Sequence, residues 1–373
     1  MSLPTIAILD DYQRISDGPF EELRSSGYQV TTFTNTLLPY NHPDTPQDAK
    51  DALVKRLEPF NIICTFHEGK DSIPGRMILT HETGVINRLP NLKLLLTTGP
   101  RNASIDVQAL QARNIPVAGT GNSRDPKPRP KGPDSTTQHT VALILALARN
   151  IPQDDATMKS GGWQTSDAIG LSGKVFGTVG LGRLGVSVAK IMHSAFGMRI
   201  IAWSANLTQE AADEKARAAG LPVEDEAGAK TFKVVARDEL FSTADVVSIH
   251  LVLSERSRGL VGTSDLEKMK KSALLVNTSR GPIINEDELL AAGQKGLIRG
   301  IGLDVYGLEP LLKDSGWRTT KWGESGRSNV VLTPHMGYVE AEHLEPWYEE
   351  QVQNILHWQK GEELTTLYKD NGY

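Results

Sequence analysis

The stretch GTVGLGRLG (residues 177–185) decides how the rest of the chain is read. It places Gly180, Gly182 and Gly185 in the spacing G-x-G-x-x-G, directly after the β-forming run KVFGTV (174–179) and at the start of a helical stretch. Alone, such a triplet is a weak signal, because glycines are common. In this setting each glycine has its own task. The first turns the chain tightly, the second lets a pyrophosphate approach the backbone, and the third seats the helix on the strand. The helix start then offers free N–H groups and the positive end of its dipole to the phosphates. A dinucleotide site at Gly180, Gly182, Arg183, Leu184 and Gly185 is the expectation, with Arg183 as a pyrophosphate contact.

Working outward, RIIAW (199–203), FKVVA (232–236), DVVSIH (245–250), ALLVN (273–277), GIGLDV (300–305) and NVVLT (329–333) read as strands, with helical segments between most of them. Repeated β-α units of this length predict an α/β doubly wound parallel sheet. On the N-terminal side, TIAIL (5–9), YQVTTF (28–33), NIICTF (61–66), LKLLLTT (92–98) and IPVAGT (115–120) alternate with helical segments at 19–26 and 46–58. They predict a second parallel sheet, covered on both faces. SRDPKPRPKGPD (123–134) is too rich in proline to be a regular element, and a helix from about Ser135 to Arg149 follows it. A closing amphipathic helix, about Ala341 to Lys360, carries Leu344, Trp347, Val352, Ile355 and Trp358.

The chain has 373 residues, a length that fits two domains. Its formal net charge of −5 and the lack of a basic stripe argue against a nucleic-acid partner. The longest apolar stretch, Val141 to Ala148, is too short to span a bilayer, so no membrane partner is expected. Met1-Ser2-Leu3-Pro4 runs straight into a strand, and no signal peptide is expected. The single cysteine, Cys64, lies among Ile62, Ile63 and Phe66 and reads as buried. One thiol forms no internal disulfide, which fits a cytoplasmic protein. Histidines are scattered and no carboxylate cluster has ligand spacing, so no metal is expected.

Ligands of open α/β sheets bind outside the carboxyl ends of the strands. There the sequence places Thr278-Ser279-Arg280-Gly281 after ALLVN, Asp304 and then Glu309 with GIGLDV, and Pro334-His335-Met336-Gly337 after NVVLT. Reduction of a 2-oxo acid needs an anion clamp and a proton donor. Arginine supplies a planar fork that matches a carboxylate and stays charged. Histidine exchanges protons near neutral pH, and a glutamate on its other ring nitrogen would orient it and favour the imidazolium. Arg280, Glu309 and His335 are therefore the candidate catalytic residues.

The acid that usually grips the ribose after the second strand is missing from IIAWSANLTQE, where Ser204, Ala205 and Asn206 take its place. Without that carboxylate the element that repels a 2′-phosphate is gone, although no arginine or lysine follows directly and Glu210 lies nearby. NADP(H) is narrowly favoured, with NAD(H) possible.

Together TTGPRNASID (97–106), TTQHTVALILALARNIP (136–152), GTVGLGRLG, VNTSRGPIINEDEL (276–289), GLDVYGLEP (302–310) and LTPHMGY (332–338) resemble the D-isomer-specific 2-hydroxyacid dehydrogenases, over nearly the whole chain. The resemblance implies that Arg280, Glu309 and His335 are the catalytic trio. It implies that Thr98, Gly99, Pro100, Arg101 and Asn102 form the substrate-carboxylate loop, where backbone N–H groups would hold the acid, and that Asp304 meets the nicotinamide amide. His250, Leu251, Val252, Thr278, Ser279 and Gly337 complete the expected cofactor contacts. The implied fold is two Rossmann-like doubly wound domains. A nucleotide domain (118–337) is inserted into a flavodoxin-like substrate domain (1–117 and 338–373), with the active site in the cleft and a homodimer joined through the nucleotide domains. Glu309 argues against a formate dehydrogenase, which has glutamine there, and an extra regulatory domain is not expected. A nicotinamide-sensing corepressor of the same fold is the alternative. Gln138 replaces the family's usual glutamate, and its neighbour His139 reads as a helix-face residue, not a catalyst. The segments 123–134 and 311–328 are longer than usual, and FHEGKDSIP (66–74) replaces a stretch that often carries an arginine near the substrate.

Overall fold

A computed structural model describes residues 3–37, 40, 45–65, 84–99, 105–121, 132–164 and 166–365. By contact the chain forms two compact units: Met1–Pro130 with Leu308–Pro310 and Val339–Tyr373, and Lys131–Gly307 with Leu311–Tyr338. The expected boundary between 117 and 118 would cut a strand, because Ala118 pairs with Leu96 in the first unit's sheet. The division falls later for that reason. Leu308–Pro310, including Glu309, also group with the first unit.

The first unit holds β1 (Thr5–Ile8), β2 (Gln29–Thr32), β3 (Ile62–Thr65), β4 (Leu94–Thr97) and β5 (Val117–Ala118). They are parallel, in the order β2-β1-β3-β4-β5, the doubly wound order of flavodoxin-like sheets. β3 and β4 are buried at every position, as a central strand covered on both faces must be. Cys64 is buried in β3, and burial pushes its thiol pKa up. The C-terminal helix Ala341–Lys360 buries Leu344, Tyr348, Val352 and Ile355. Tyr348, not Trp347 or Trp358, is its enclosed aromatic, and its ring meets the edge of Phe20 at 6.3 Å. Trp347 instead packs against His343.

The second unit holds β6 (Val175–Val179), β7 (Arg199–Trp203), β8 (Phe232–Val234), β9 (Val246–Ile249), β10 (Leu274–Asn277), β11 (Gly300–Leu303) and β12 (Asn329–Leu332). These seven parallel strands run β12-β11-β10-β9-β6-β7-β8. Counted from β6, that is the 3-2-1-4-5-6 order of a dinucleotide-binding sheet with one strand added. Alternate residues feed opposite faces: Leu275 and Val247 join one apolar cluster, while Leu274, Val276 and Val246 join the other. Each fully buried aliphatic side chain contributes about 1.5–3 kcal/mol.

A close packing contact sets the register of helix and sheet in this unit. The helix Ser135–Ala148, capped by the Asp134 side chain on the Thr137 N–H, lies against β10, β11 and β12. It comes close because β11 has glycine on that face. A Cβ on Gly300 would stand 3.3 Å from Leu147, and one on Gly302 3.0 Å from the same side chain. Leu147, Leu143 and His139 are spaced four apart along the helix, and Gly300, Gly302 and Asp304 two apart along the strand. The pairing of the leucines with the glycines carries His139 to the end of β11.

Candidate active site

The glycine loop has the geometry its spacing implies. Gly180 has φ +99, and a Cβ there would stand 2.6 Å from the His250 carbonyl oxygen. A Cβ on Gly185 would stand 2.2 Å from the Gly180 carbonyl oxygen. At Gly182 the situation is opposite: among the described residues an added Cβ meets nothing within 4 Å. Gly182 is also the N-cap of the helix Arg183–Phe196, and no side chain of its own caps the amides of the first turn. Tight packing at the first and third glycines with room at the second fits a diphosphate. Arg183, expected at the pyrophosphate, reaches Asp134 at 2.6 Å. Leu184 follows it in the same first turn.

His250 and Leu251 form the wall behind Gly180. Burial pulls the His250 pKa down to about 4, so the ring is neutral at neutral pH, with Nε2 2.9 Å from the Ser248 hydroxyl. Val252 is an exposed apolar side chain beside them. At the end of β7, Ser204, Ala205 and Asn206 form a turn. Thr208 accepts from the Ala211 N–H and caps the helix Gln209–Ala218. Glu210 lies in that first turn, and hydrogen bonds from the backbone and Thr208 hold its carboxyl below the usual range. The sequence reading missed Arg237, whose guanidinium lies 5.5 Å from the Trp203 ring centre and is held bidentately by the buried Asp265.

The tips of β10, β11 and β12 carry Arg280, Asp304 and His335. Asn277 shapes the first: its side chain accepts from the Ser279 N–H and donates to the Arg280 carbonyl. The Ser279 hydroxyl donates to the Leu251 carbonyl, tying this tip to the strand end beside it. Thr140 gives its hydroxyl proton to the Thr136 carbonyl, so the Thr278 hydroxyl, 2.7 Å away, donates to Thr140. The Arg280 guanidinium folds back onto the Ser279 carbonyl at 2.7 Å. Gly281 lets this loop touch the next, since a Cβ would overlap the Tyr306 carbonyl at 2.1 Å.

Asp304 is the hub. Its N–H donates to the Asn277 carbonyl, and its carbonyl accepts the His335 N–H at 2.8 Å. Its carboxylate, 1% exposed, accepts from the Thr333 hydroxyl (2.6 Å), the Met336 N–H (2.7 Å) and the Gly337 N–H (3.0 Å). His139 Nε2 lies 3.2 Å from the same carboxylate and 2.9 Å from Thr333. Burial pushes the Asp304 carboxyl upward, but the His139 hydrogen bond and the field of His335 hold it below the usual range. His335 is buried, sits at φ +57, and meets the Tyr338 ring edge-on at 5.7 Å. A non-glycine residue there is strained, so these bonds must over-determine the loop. His139, read from sequence as an ordinary helix-face residue, is part of this cluster. The spacings His139-Leu143-Leu147 and Gly300-Gly302-Asp304 were the signal that could have found it.

In the first unit, the Thr98 N–H donates to the Thr65 carbonyl and the Gly99 N–H to the Thr120 hydroxyl. These two amides, expected to hold the substrate carboxylate, are spent inside the fold, because β4 ends between the ends of β3 and β5. Pro100, Arg101 and Asn102 lie outside the described residues. Glu309 is 3% exposed and groups with this unit. Among the described residues no cluster of metal-binding side chains occurs and no helix is long and apolar enough to cross a membrane.

Residues 141–337 match the model of the D-isomer specific 2-hydroxyacid dehydrogenase NAD binding domain. The chain is 31% identical to the glyoxylate reductase of Thermococcus litoralis, over 74% of this chain and 77% of that one. It is 33% identical to the D-3-phosphoglycerate dehydrogenase of Archaeoglobus fulgidus, over 68% of this chain but only 42% of that protein's length. A solved structure of a putative D-3-phosphoglycerate dehydrogenase oxidoreductase from Ralstonia solanacearum superposes with a TM-score of 0.75 at 28% identity, covering 98% of this chain and 97% of that one. A nicotinamide-binding sheet carrying arginine, aspartate and histidine at three adjacent strand tips thus has relatives that are dehydrogenases and reductases, and the chain belongs to the D-isomer specific 2-hydroxyacid dehydrogenase family of oxidoreductases.

Proposed function

We propose that the protein reduces a small 2-oxo acid to the D-2-hydroxy acid, reversibly, with His335 as the acid–base residue. The observation that carries this reading is the Asp304 hub. It joins the tip bearing Arg280 to the tip bearing His335, through the Asn277 carbonyl on one side and the His335 N–H on the other. A nicotinamide bound along the glycine loop supplies the hydride for the carbonyl carbon. The protein's part is to hold the acid and move one proton. Arg280 offers a charged fork to the oxygens of the 2-oxo acid. His335 gives its ring proton to the carbonyl oxygen as that atom gains charge, and takes one back in the oxidative direction. Glu309 is assigned as the third member of the catalytic trio. Asp304 is assigned to the nicotinamide amide, beside the Gly337 N–H that its Oδ2 accepts.

Glyoxylate is the first substrate to test, followed by hydroxypyruvate, pyruvate and branched or aromatic 2-oxo acids. Steady-state rates with both nicotinamides, and chiral analysis of the product, check the proposal. No turnover with any of them, or an L-product, would remove it.

The coenzyme preference assigned is NADPH over NADH, with Ser204 and Asn206 donating to the 2′-phosphate. Glu210 opposes this, since its carboxyl is held ionised at the start of the next helix. Arg237, the cation against Trp203, is already engaged by Asp265. Asn206→Asp adds a second negative charge and a partner for the ribose hydroxyls. It should shift the NADH-to-NADPH ratio of kcat/KM toward NADH by about tenfold or more, equivalent to about 1.4 kcal/mol. A wild-type enzyme at least tenfold more efficient with NADH would overturn the assignment.

A homodimer through the second unit is part of the same reading. The helix Ile151–Lys159 buries none of its own residues, and Ile151, Met158 and Trp163 are exposed. A groove of about 450 Å³ lined by Leu145, Arg149, Ile169 and Phe196 lies in the same unit. Apolar side chains exposed in one region mark an interaction surface.

A further inference from the structure

We infer that His139 is a positioning residue, which through Asp304 and Thr333 holds the backbone on which His335 stands. The inference rests on the role of His335 proposed above.

The hydrogen-bond directions are determined by counting protons. Thr333 has one hydroxyl proton and gives it to Asp304 Oδ1 at 2.6 Å. His139 Nε2, 2.9 Å from Thr333 Oγ1, must therefore be the donor, which places a proton on Nε2. The same N–H lies 3.2 Å from Asp304 Oδ1, so it is shared between the hydroxyl and the carboxylate. Oδ1 also takes the Met336 N–H, and Oδ2 the Gly337 N–H. An ionised carboxylate is acceptor-only and can serve all these donors. A protonated one would present a proton to a group that also donates.

A carboxylate this deeply buried stays ionised only when donors compensate for its lost hydration. Thr333, Met336 and Gly337 are neutral donors from the same short segment. His139 comes from a different element, and so it ties that segment to the helix Ser135–Ala148. Leu143 and Leu147, against Gly302 and Gly300 of β11, set the register in which His139 meets Asp304. The chain following His335 thus hangs on Asp304, and Asp304 is braced by His139. Because His335 holds a left-handed conformation, the loop has an extended alternative to relax into once the brace is lost.

The test compares His139→Leu with His139→Gln, since the glutamine amide nitrogen reaches about as far as Nε2 and keeps a donor there. The leucine variant should lose about 10- to 100-fold in kcat, the scale expected when a reacting group is misplaced by about an ångström. Its KM for the 2-oxo acid should change much less, because Asn277 holds the Arg280 loop independently. The glutamine variant should recover most of the lost kcat. A leucine variant with wild-type kcat would overturn the inference, as would equal losses in the two variants at equal thermal stability. If the leucine variant does not fold, Thr333→Val removes the shared acceptor, and wild-type kcat there would overturn the inference equally. His335→Ala, assayed beside them, separates the two readings. Should it retain turnover, the role of His335 fails; should it alone lose turnover, only the role of His139 fails.

Discussion

Replacing His335 by alanine should lower turnover of the 2-oxo acid by about two to four orders of magnitude, the range for loss of a positioned acid–base group. The reason is local. His335 stands at the tip of β12 with its N–H on the Asp304 carbonyl, and it is the one histidine on the three tips that carry Arg280, Asp304 and His335. Coenzyme binding should survive, because the glycine loop, His250 and Ser279 keep their partners without it. Alanine is strained at φ +57 as histidine is, so the fold should tolerate the change about as well as the native residue does. His335→Asn, which adopts that conformation more readily, is a second variant without the imidazole. Both should titrate with NAD(P)H by fluorescence while failing to oxidise it. Retention of most turnover in either would end the assignment.

The second large effect separates two glycines of one motif. Gly185→Ala puts a methyl group where the Gly180 carbonyl oxygen stands, 2.2 Å away, and backbone cannot give way as a side-chain end can. It should destabilise the second unit by about 1–3 kcal/mol, the usual cost of overpacking, or more. Gly182→Ala meets no atom of the described residues within 4 Å, and its φ of −80 suits any residue. That variant should keep nearly the native Tm but bind NAD(P)H at least about tenfold more weakly, because its methyl group occupies the approach of the diphosphate. Thermal unfolding and coenzyme titration of both variants check the pair. Equal coenzyme affinity in Gly182→Ala and wild type would move the diphosphate elsewhere. An unchanged Tm in Gly185→Ala would mean that the loop is looser than its packing indicates.

All twelve strands of the described residues fall within runs that read as β-forming, from TIAIL to NVVLT. Central strands such as β3, β4, β9 and β10 were legible because strands buried on both faces are continuous apolar runs, a local property of the chain, while the partly exposed β2 has the β-branched run Val30-Thr31-Thr32. The glycine loop was legible for a related reason: the tasks of Gly180, Gly182 and Gly185 depend on spacing within one turn. Less local features were not legible. In the closing helix Tyr348, and not Trp347 or Trp358, is the enclosed aromatic, because the surface it packs against includes Phe20, far away in sequence.

The site divides in the same way. The sequence alone determined that arginine, aspartate and histidine stand at the ends of three successive strands, since strand ends and their order follow from β-α repetition. Only the tertiary structure decided how those tips are joined. It spent the Thr98 and Gly99 amides on Thr65 and Thr120, which a linear reading had left for substrate. It also drew His139 onto Asp304, through the seating of Leu143 and Leu147 on two glycines of β11. A hydrogen bond is made within about 3 Å, and whether two groups distant in sequence come that close depends on the register of a helix over a sheet, which no single segment encodes.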